Sequence, residues 1–233
     1  MTETPARKRR QRGSLSAEQI IDAAFELASE SDLDSLSMPE LASRLGVGVT
    51  SVYWYFRKKD DLLRGMSDRA VHTVQDALPR PSHSLDWSSF LREYFTELRR
   101  IFRSDDTLAD LTLVRIRSYS LDSTHYLYQQ YEDIVEYLVS CGFSPLHAWN
   151  VFSTAYTFTR GVVIGERTQR LNNSPILDGR QSRLVVPETM PHLAALIADQ
   201  KIMLAMVSDE DFHFGLELLI DAFERQLAEV AAS

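Results

Sequence analysis

Leu45-Gly46-Val47-Gly48-Val49-Thr50-Ser51-Val52-Tyr53-Trp54-Tyr55-Phe56-Arg57-Lys58-Lys59-Asp60-Asp61-Leu62-Leu63 is the stretch whose reading decides the fold. Two glycines break a helical pattern after Leu45, and a short helix resumes at Val49. Gly46 stands where a helix C-cap enters the left-handed region, and Gly48 can open the next helix. Val47, Val52 and Phe56 share one inward face. Thr50, Ser51, Tyr53, Trp54 and Tyr55 are left for the others, an unusually polar and aromatic surface for so short a helix.

Working outward, Ser37-Met38-Pro39-Glu40 has the form of a capping box with Leu36 and Leu41 as its staple, so a helix is expected over about 38–45. The same device at Ser16-Ala17-Glu18-Gln19, with Leu15 and Ile20, starts an earlier helix near residue 17. Its stripe is Ile20, Ala24, Leu27 and Ala28. Two short helices joined by a glycine turn, preceded by a longer helix and followed by basic residues, make a helix-turn-helix unit for DNA.

Beyond Lys59 apolar residues keep helical spacing, and no run alternates as a strand does. A fourth helix is expected after Lys59, running toward Leu78, and further helices at about 86–103, 107–120, 124–141, 145–170, 188–206 and 209–231, with a loop over 171–187. The fold class is all-α: an N-terminal three-helix DNA-binding domain and a larger C-terminal helical domain for ligand binding and dimerisation. The divisions expected are a basic arm at 1–14, the reader at 15–65 and the remainder at 66–233.

The formal charge of −8 is unevenly placed. Residues 1–65 carry ten basic and ten acidic side chains and are neutral, so the whole excess lies in 66–233. The basic residues of the first part gather at its ends, including Arg9 and Arg10 in the arm and Arg57, Lys58 and Lys59 after the short helix. An acidic body with a basic tip approaches a phosphate backbone tip first. No window has the apolar length of a membrane span, and no signal peptide is evident, so a cytoplasmic protein without membrane partners is expected. Cys141 is the single cysteine and reads as a core residue.

The 45–63 stretch resembles the signature of TetR-family repressors: a glycine turn, a Tyr-x-x-Phe helix, then Lys-x-x-Leu-Leu. Trp87-Ser88-Ser89-Phe90-Leu91-Arg92, Cys141-Gly142-Phe143-Ser144, Phe158-Thr159-Arg160-Gly161 and the run from Phe214 to Glu224 are similar to the tetracycline-repressor subgroup. The resemblance implies a one-component repressor that binds a palindromic operator as a homodimer and is released by a small-molecule effector. It implies that Ser37 and Pro39 lie against phosphates, that Thr50 and Ser51 meet base edges, and that Tyr53 and Lys59 hold phosphates. Trp54 and Tyr55 would reach bases or sugars. Gly48 and Val49 replace residues that are more often polar, and Val49 would read an apolar feature such as a thymine methyl. Thr157 stands where the subgroup has a histidine for a magnesium-chelated drug, and the other histidine position falls near Ser118. That chelate is therefore not the ligand implied, and neither metal nor cofactor is expected.

For the effector, a partly aromatic or hydrophobic compound, the expected lining is Met66, Phe95, Leu98, Leu111, Val114, Tyr119, Tyr126, Tyr131 and Tyr156. Arg115, Thr157 and Arg160 would be its polar groups. Phe212, Leu216, Leu219, Ile220, Phe223 and Leu227 form a broad stripe on the last helix, expected to be the dimer interface. Gly161 and Gly165, four apart, suggest close helix packing there. Two other classes stand against this reading. An architectural DNA-binding protein would not need some 165 further residues. An enzyme would need a constellation that the six histidines and the lone cysteine do not offer.

Overall fold

The computed structural model describes residues 15–114, 119–172, 184–198 and 208–231. Among them the chain is helical, without strands, and separates into two compact units. Residues up to 76 and residues 105–127 form one; 77–104 and 128 onward form the other.

The first unit begins with α1 (Ala17–Glu30) and α2 (Met38–Leu45), followed by α3 (Val49–Tyr55) and α4 (Lys59–Ala77). Both arms of the capping box form at α1: Ser16 Oγ accepts from Gln19 N at 3.2 Å, and Ser16 N donates to Gln19 Oε1 at 3.0 Å. At α2, Ser37 Oγ accepts from Glu40 N at 3.3 Å. Ile20, Ala24, Leu27, Leu41, Val52 and Leu62 are buried and make the common core of the four helices. Arg44 reaches across to Glu26 and Glu30, bracing α2 on α1. The boundary expected at 65/66 falls inside α4. That helix is continuous because Leu62, Leu63, Met66 and Ala70 all bury along one stripe.

The helix expected over 107–120 is not an uninterrupted α-helix. It is a single turn, α6 (Asp106–Ala109), running into a π-helical turn (Asp110–Val114), with 115–118, and so Arg115, outside the described residues. Asp105 starts it by accepting from the amides of Thr107 and Leu108. α6 packs on α1.

The second unit holds α5 (Trp87–Ser104), most of α7 (Leu121–Ser140), α8 (Pro145–Asn172), α9 (Pro191–Ala198) and α10 (Asp209–Ala231). α8 packs against both α5 and α10. Helix α8 extends into the start of the loop expected at 171–187, whose residues 173–183 are not described; the last residues of the helix expected at 188–206 also lie outside.

The stripe on α10 is present, but its own chain covers it. Phe212, Leu216, Ile220 and Phe223 are buried; Leu219 and Leu227 are half-buried. Phe212 lies parallel to Phe158 of α8 with centroids 5.9 Å apart, and the Arg99 guanidinium of α5 sits 4.5 Å above the Phe212 ring. Exposed instead are Phe214 and Leu218. Gly161 faces open space, and Gly165 is half-buried.

Candidate DNA-reading site

The reading helix owes its position to the turn before it. Gly46 adopts φ 68°, a conformation that costs a side-chain-bearing residue, and its N–H returns to the carbonyls of Ala42 and Ser43. Val47 N also donates to Ala42 O, at 3.0 Å. The chain therefore reverses sharply, and α3 starts at Val49 with Gly48 as its N-cap. Ser51 N closes on Gly48 O at 2.8 Å.

Only Val52 of α3 is buried. Val49, Thr50, Ser51, Tyr53 and Trp54 are exposed, Trp54 to 78%. An indole that open in a well-packed unit is not contributing to the core, and together with Thr50 and Ser51 it forms a face of donors, acceptors and one large ring. Arg57 and Lys58 are exposed at its C-terminal end. Pro39 is exposed and Ser37 half-buried at the start of α2. The Ser37 hydroxyl accepts as a cap and keeps its proton to donate.

Two of the residues expected at DNA also make bonds within the unit. Tyr55 is half-buried: its hydroxyl donates to the Leu15 carbonyl and its ring meets Trp54 edge-on at 4.7 Å. The phenol is thus a tie between α3 and the entry to α1. Lys59 donates from Nζ to Asp34 O at 2.8 Å, fixing the loop before α2, with two further protons available to a phosphate. Arg9 and Arg10 lie outside the described residues.

The residues expected to line an effector cavity are divided between the two units. Met66 and Leu111 are buried in the first unit, where Val114 is exposed and Tyr119 and Tyr126 are half-buried. Phe95 and Leu98 are packed core of the second. Phe152 there touches Phe95, Tyr131 and Tyr156, at centroid distances of 5.8, 5.4 and 6.1 Å. Burial pushes the Tyr156 phenol up, against the opposing pull of Arg160 and of a hydrogen bond with Tyr131. Thr157 instead lines an open groove of about 560 Å³ with Phe158, Gly215 and Leu218.

Sequence reasoning missed a buried ionic junction. Arg99 Nη2 donates to Glu166 Oε1 at 2.6 Å and to Asp209 Oδ1 at 2.7 Å, joining α5, α8 and α10. Arg103 also pairs with Asp209. Burial raises the Asp209 carboxyl, but the two guanidinium groups outweigh it and hold it below the usual range. The available signal was a charge on the buried stripe of α5, four residues after Phe95.

A sharp glycine turn between two short helices, with the second presenting polar and aromatic side chains to solvent, defines a helix-turn-helix DNA-binding protein. The profile described as "Bacterial regulatory proteins, tetR family" matches residues 20–66, and "Tetracyclin repressor-like, C-terminal domain" matches 79–227. The chain belongs to the TetR family of transcriptional regulators and is a DNA-binding repressor of that family. It is 38% identical to the HTH-type transcriptional repressor Rv1353c of Mycobacterium tuberculosis, over 95% of this chain and 85% of the relative. It is 29% identical to the class D tetracycline repressor protein of Escherichia coli over 91% of each chain. The crystal structure of TetR from Acinetobacter baumannii AYE superposes with a TM-score of 0.65 at 25% identity, covering 91% of this chain and 98% of that one. These relatives are regulators, not enzymes. No described helix is long and apolar enough to cross a membrane, and no described cluster of His, Cys, Asp or Glu is placed to hold a metal ion.

Proposed function

We propose that the protein represses transcription as a cytoplasmic homodimer, each protomer setting α3 into the major groove of one half of a palindromic operator, and that a small hydrophobic or partly aromatic effector releases it. The observation that carries this reading is the solvent-open face of α3, where Thr50, Ser51 and Trp54 stand clear of the core. Thr50 and Ser51 read base edges, Val49 touches an apolar base feature, and Tyr53, Lys59, Ser37 and Pro39 meet the backbone. Residues 15–65 act as the reader and 66–233 carry effector binding and dimerisation.

Dimerisation uses the exposed side of α8 and α10. Phe214 and Leu218, with half-buried Phe158 and open Gly161 beside them, are apolar surface that a second copy would cover. The effector site centres on Tyr131, Tyr156 and Arg160, an aromatic wall with one cation in the second unit. Nuclease protection on the DNA beside its own gene is the test. A two-fold protected site that is lost on adding a candidate compound supports the reading. A protein that protects no site there, and sediments as a 27 kDa particle at micromolar concentration, overturns it.

A further inference from the structure

Residues 15–65 hold five basic and nine acidic side chains, so the folded reader is itself an anion facing a polyanion. The seven residues of α3 carry no charge at all. Two of the five cations are already bonded inside the unit: Arg44 to Glu26 and Glu30, and Lys59 to the Asp34 carbonyl. Arg57, Lys58 and Arg64 are exposed and make no hydrogen bond or ion pair with another described residue. Arg64 stands ten residues past Trp54, on the exposed face of α4, whereas Arg57 and Lys58 follow α3 directly.

The backbone under these two side chains is fixed at both ends. Phe56 N donates to Val52 O at 3.0 Å, and the Phe56 ring lies so close to Gly65 of α4 that a Cβ added there would stand 3.3 Å from it. Lys58 O accepts from Asp61 N at 3.1 Å and from Leu62 N at 3.4 Å, closing the first turn of α4. Asp60 and Asp61 lie in that turn, where carboxylates balance the positive end of a helix. The open positive charge at this elbow is therefore that of the Arg57 and Lys58 side chains.

We propose that Arg57 and Lys58 form a phosphate clamp at the rim of the groove that α3 enters, and that this clamp supplies most of the salt-dependent affinity of the folded reader. The major groove is about 12 Å wide and three extended residues span at most about 11 Å, so a chain leaving the groove after Trp54 passes the phosphates at 57 and 58. A guanidinium suits a contact with two phosphate oxygens, and an ammonium a point contact. Neither side chain gives up a partner within the described residues to make its contact, and the fixed backbone limits the freedom lost on binding. The clamp rests on the DNA reading above but not on which sequence is read, because phosphate contacts carry no base information.

The test compares full-length wild type, Arg57→Gln with Lys58→Gln, the charge-keeping Arg57→Lys, and Arg100→Gln, which removes an exposed cation of α5. Affinity is measured by fluorescence anisotropy between about 50 and 200 mM salt, on a duplex selected with wild type from a random pool and on an unselected duplex. The double variant is expected to lose about two units of the slope of log affinity on log salt for each bound protomer, and about tenfold or more in affinity at the low-salt end. It is expected to select the same bases as wild type, and Arg57→Lys and Arg100→Gln are expected to keep the wild-type slope. Urea unfolding of the same samples checks the fold; should the double variant unfold early, Arg57→Gln and Lys58→Gln singly, each expected to lose about one unit, decide. A double variant with the wild-type slope overturns the clamp, as does an equal loss in Arg100→Gln, which would assign the effect to overall charge. A wild type that selects no sequence overturns the sequence reading, while the slopes on the unselected duplex still judge the clamp; a wild type that binds neither duplex overturns both.

Discussion

The Tyr55 hydroxyl donates a hydrogen bond to the carbonyl of Leu15, so the reading helix is tied to the residue at the entrance of α1, forty positions earlier in the chain. Its neighbour Trp54 makes the opposite commitment and stands open to solvent. Two adjacent aromatics therefore divide into a structural tie and a reading surface.

Replacing each separates those roles. Tyr55→Phe deletes one part-buried hydrogen bond and is expected to cost about 1 kcal/mol of stability, leaving base preference unchanged. Trp54→Ala is expected to stay within about 0.5 kcal/mol of wild type in stability, as surface substitutions do, yet to weaken DNA binding. Urea unfolding and a DNA titration on the same samples read both.

Asp86 caps α5, its Oδ1 accepting from Ser89 N at 2.9 Å and Ser88 Oγ at 2.7 Å. The backbone amide, followed by the serine hydroxyls, holds its carboxyl far below the usual range. A lowered folded-state value means stabilisation that is complete above the unfolded value near pH 4 and lost as pH falls toward the folded one. Because the group is largely exposed, the cap itself sets the scale: Asp86→Ala is expected to cost about 1 kcal/mol near pH 7. That penalty should shrink in acid unfolding experiments below about pH 3.

At Gly215 a Cβ would overlap the end of the Phe158 ring, so a larger residue there requires that ring to move. Gly215→Ala is expected to destabilise by about 1–3 kcal/mol, the usual cost of overpacking. Pairing it with Phe158→Leu should recover part of that loss. A double-mutant cycle in urea measures the recovery.

Arg99 and Glu166 are both buried and bonded to each other. Arg99→Met alone leaves the buried Glu166 carboxylate only the longer contact with Arg103, at 3.8 Å, and is expected to cost about 3–5 kcal/mol. Arg99→Met with Glu166→Leu, which removes both charges, should restore most of it. Calorimetric melting of the single and double variants checks the difference.

Local chemistry was legible where one residue type answers one backbone need. Ser16 and Gln19 announced the start of α1, and Gly46 announced the left-handed turn that aims α3. Periodicity also exposed the apolar stripe of α10, but a stripe says which face is covered and not by what. Phe212, Leu216 and Ile220 turned out to face α5 and α8 of the same chain. The contacts of Tyr126 with His72 and Asp76 were illegible for a related reason: they join side chains fifty or more residues apart, and nothing in the spacing of His72 and Asp76 on α4 indicates which helix lies opposite. Arg99 sat in plain view on a buried stripe, but its partners come from two distant helices.

The central claim, that the open face of α3 reads DNA sequence for a symmetric dimer, is tested most directly by selection from a random duplex pool with wild type, Thr50→Ala and Ser51→Ala. The account predicts that wild type enriches an inverted repeat, with half-sites about one helical turn or somewhat more apart, and that each variant changes the preferred base at the same position of both half-sites. Enrichment of a site without two-fold symmetry, or the same preferred bases from all three proteins, would contradict it.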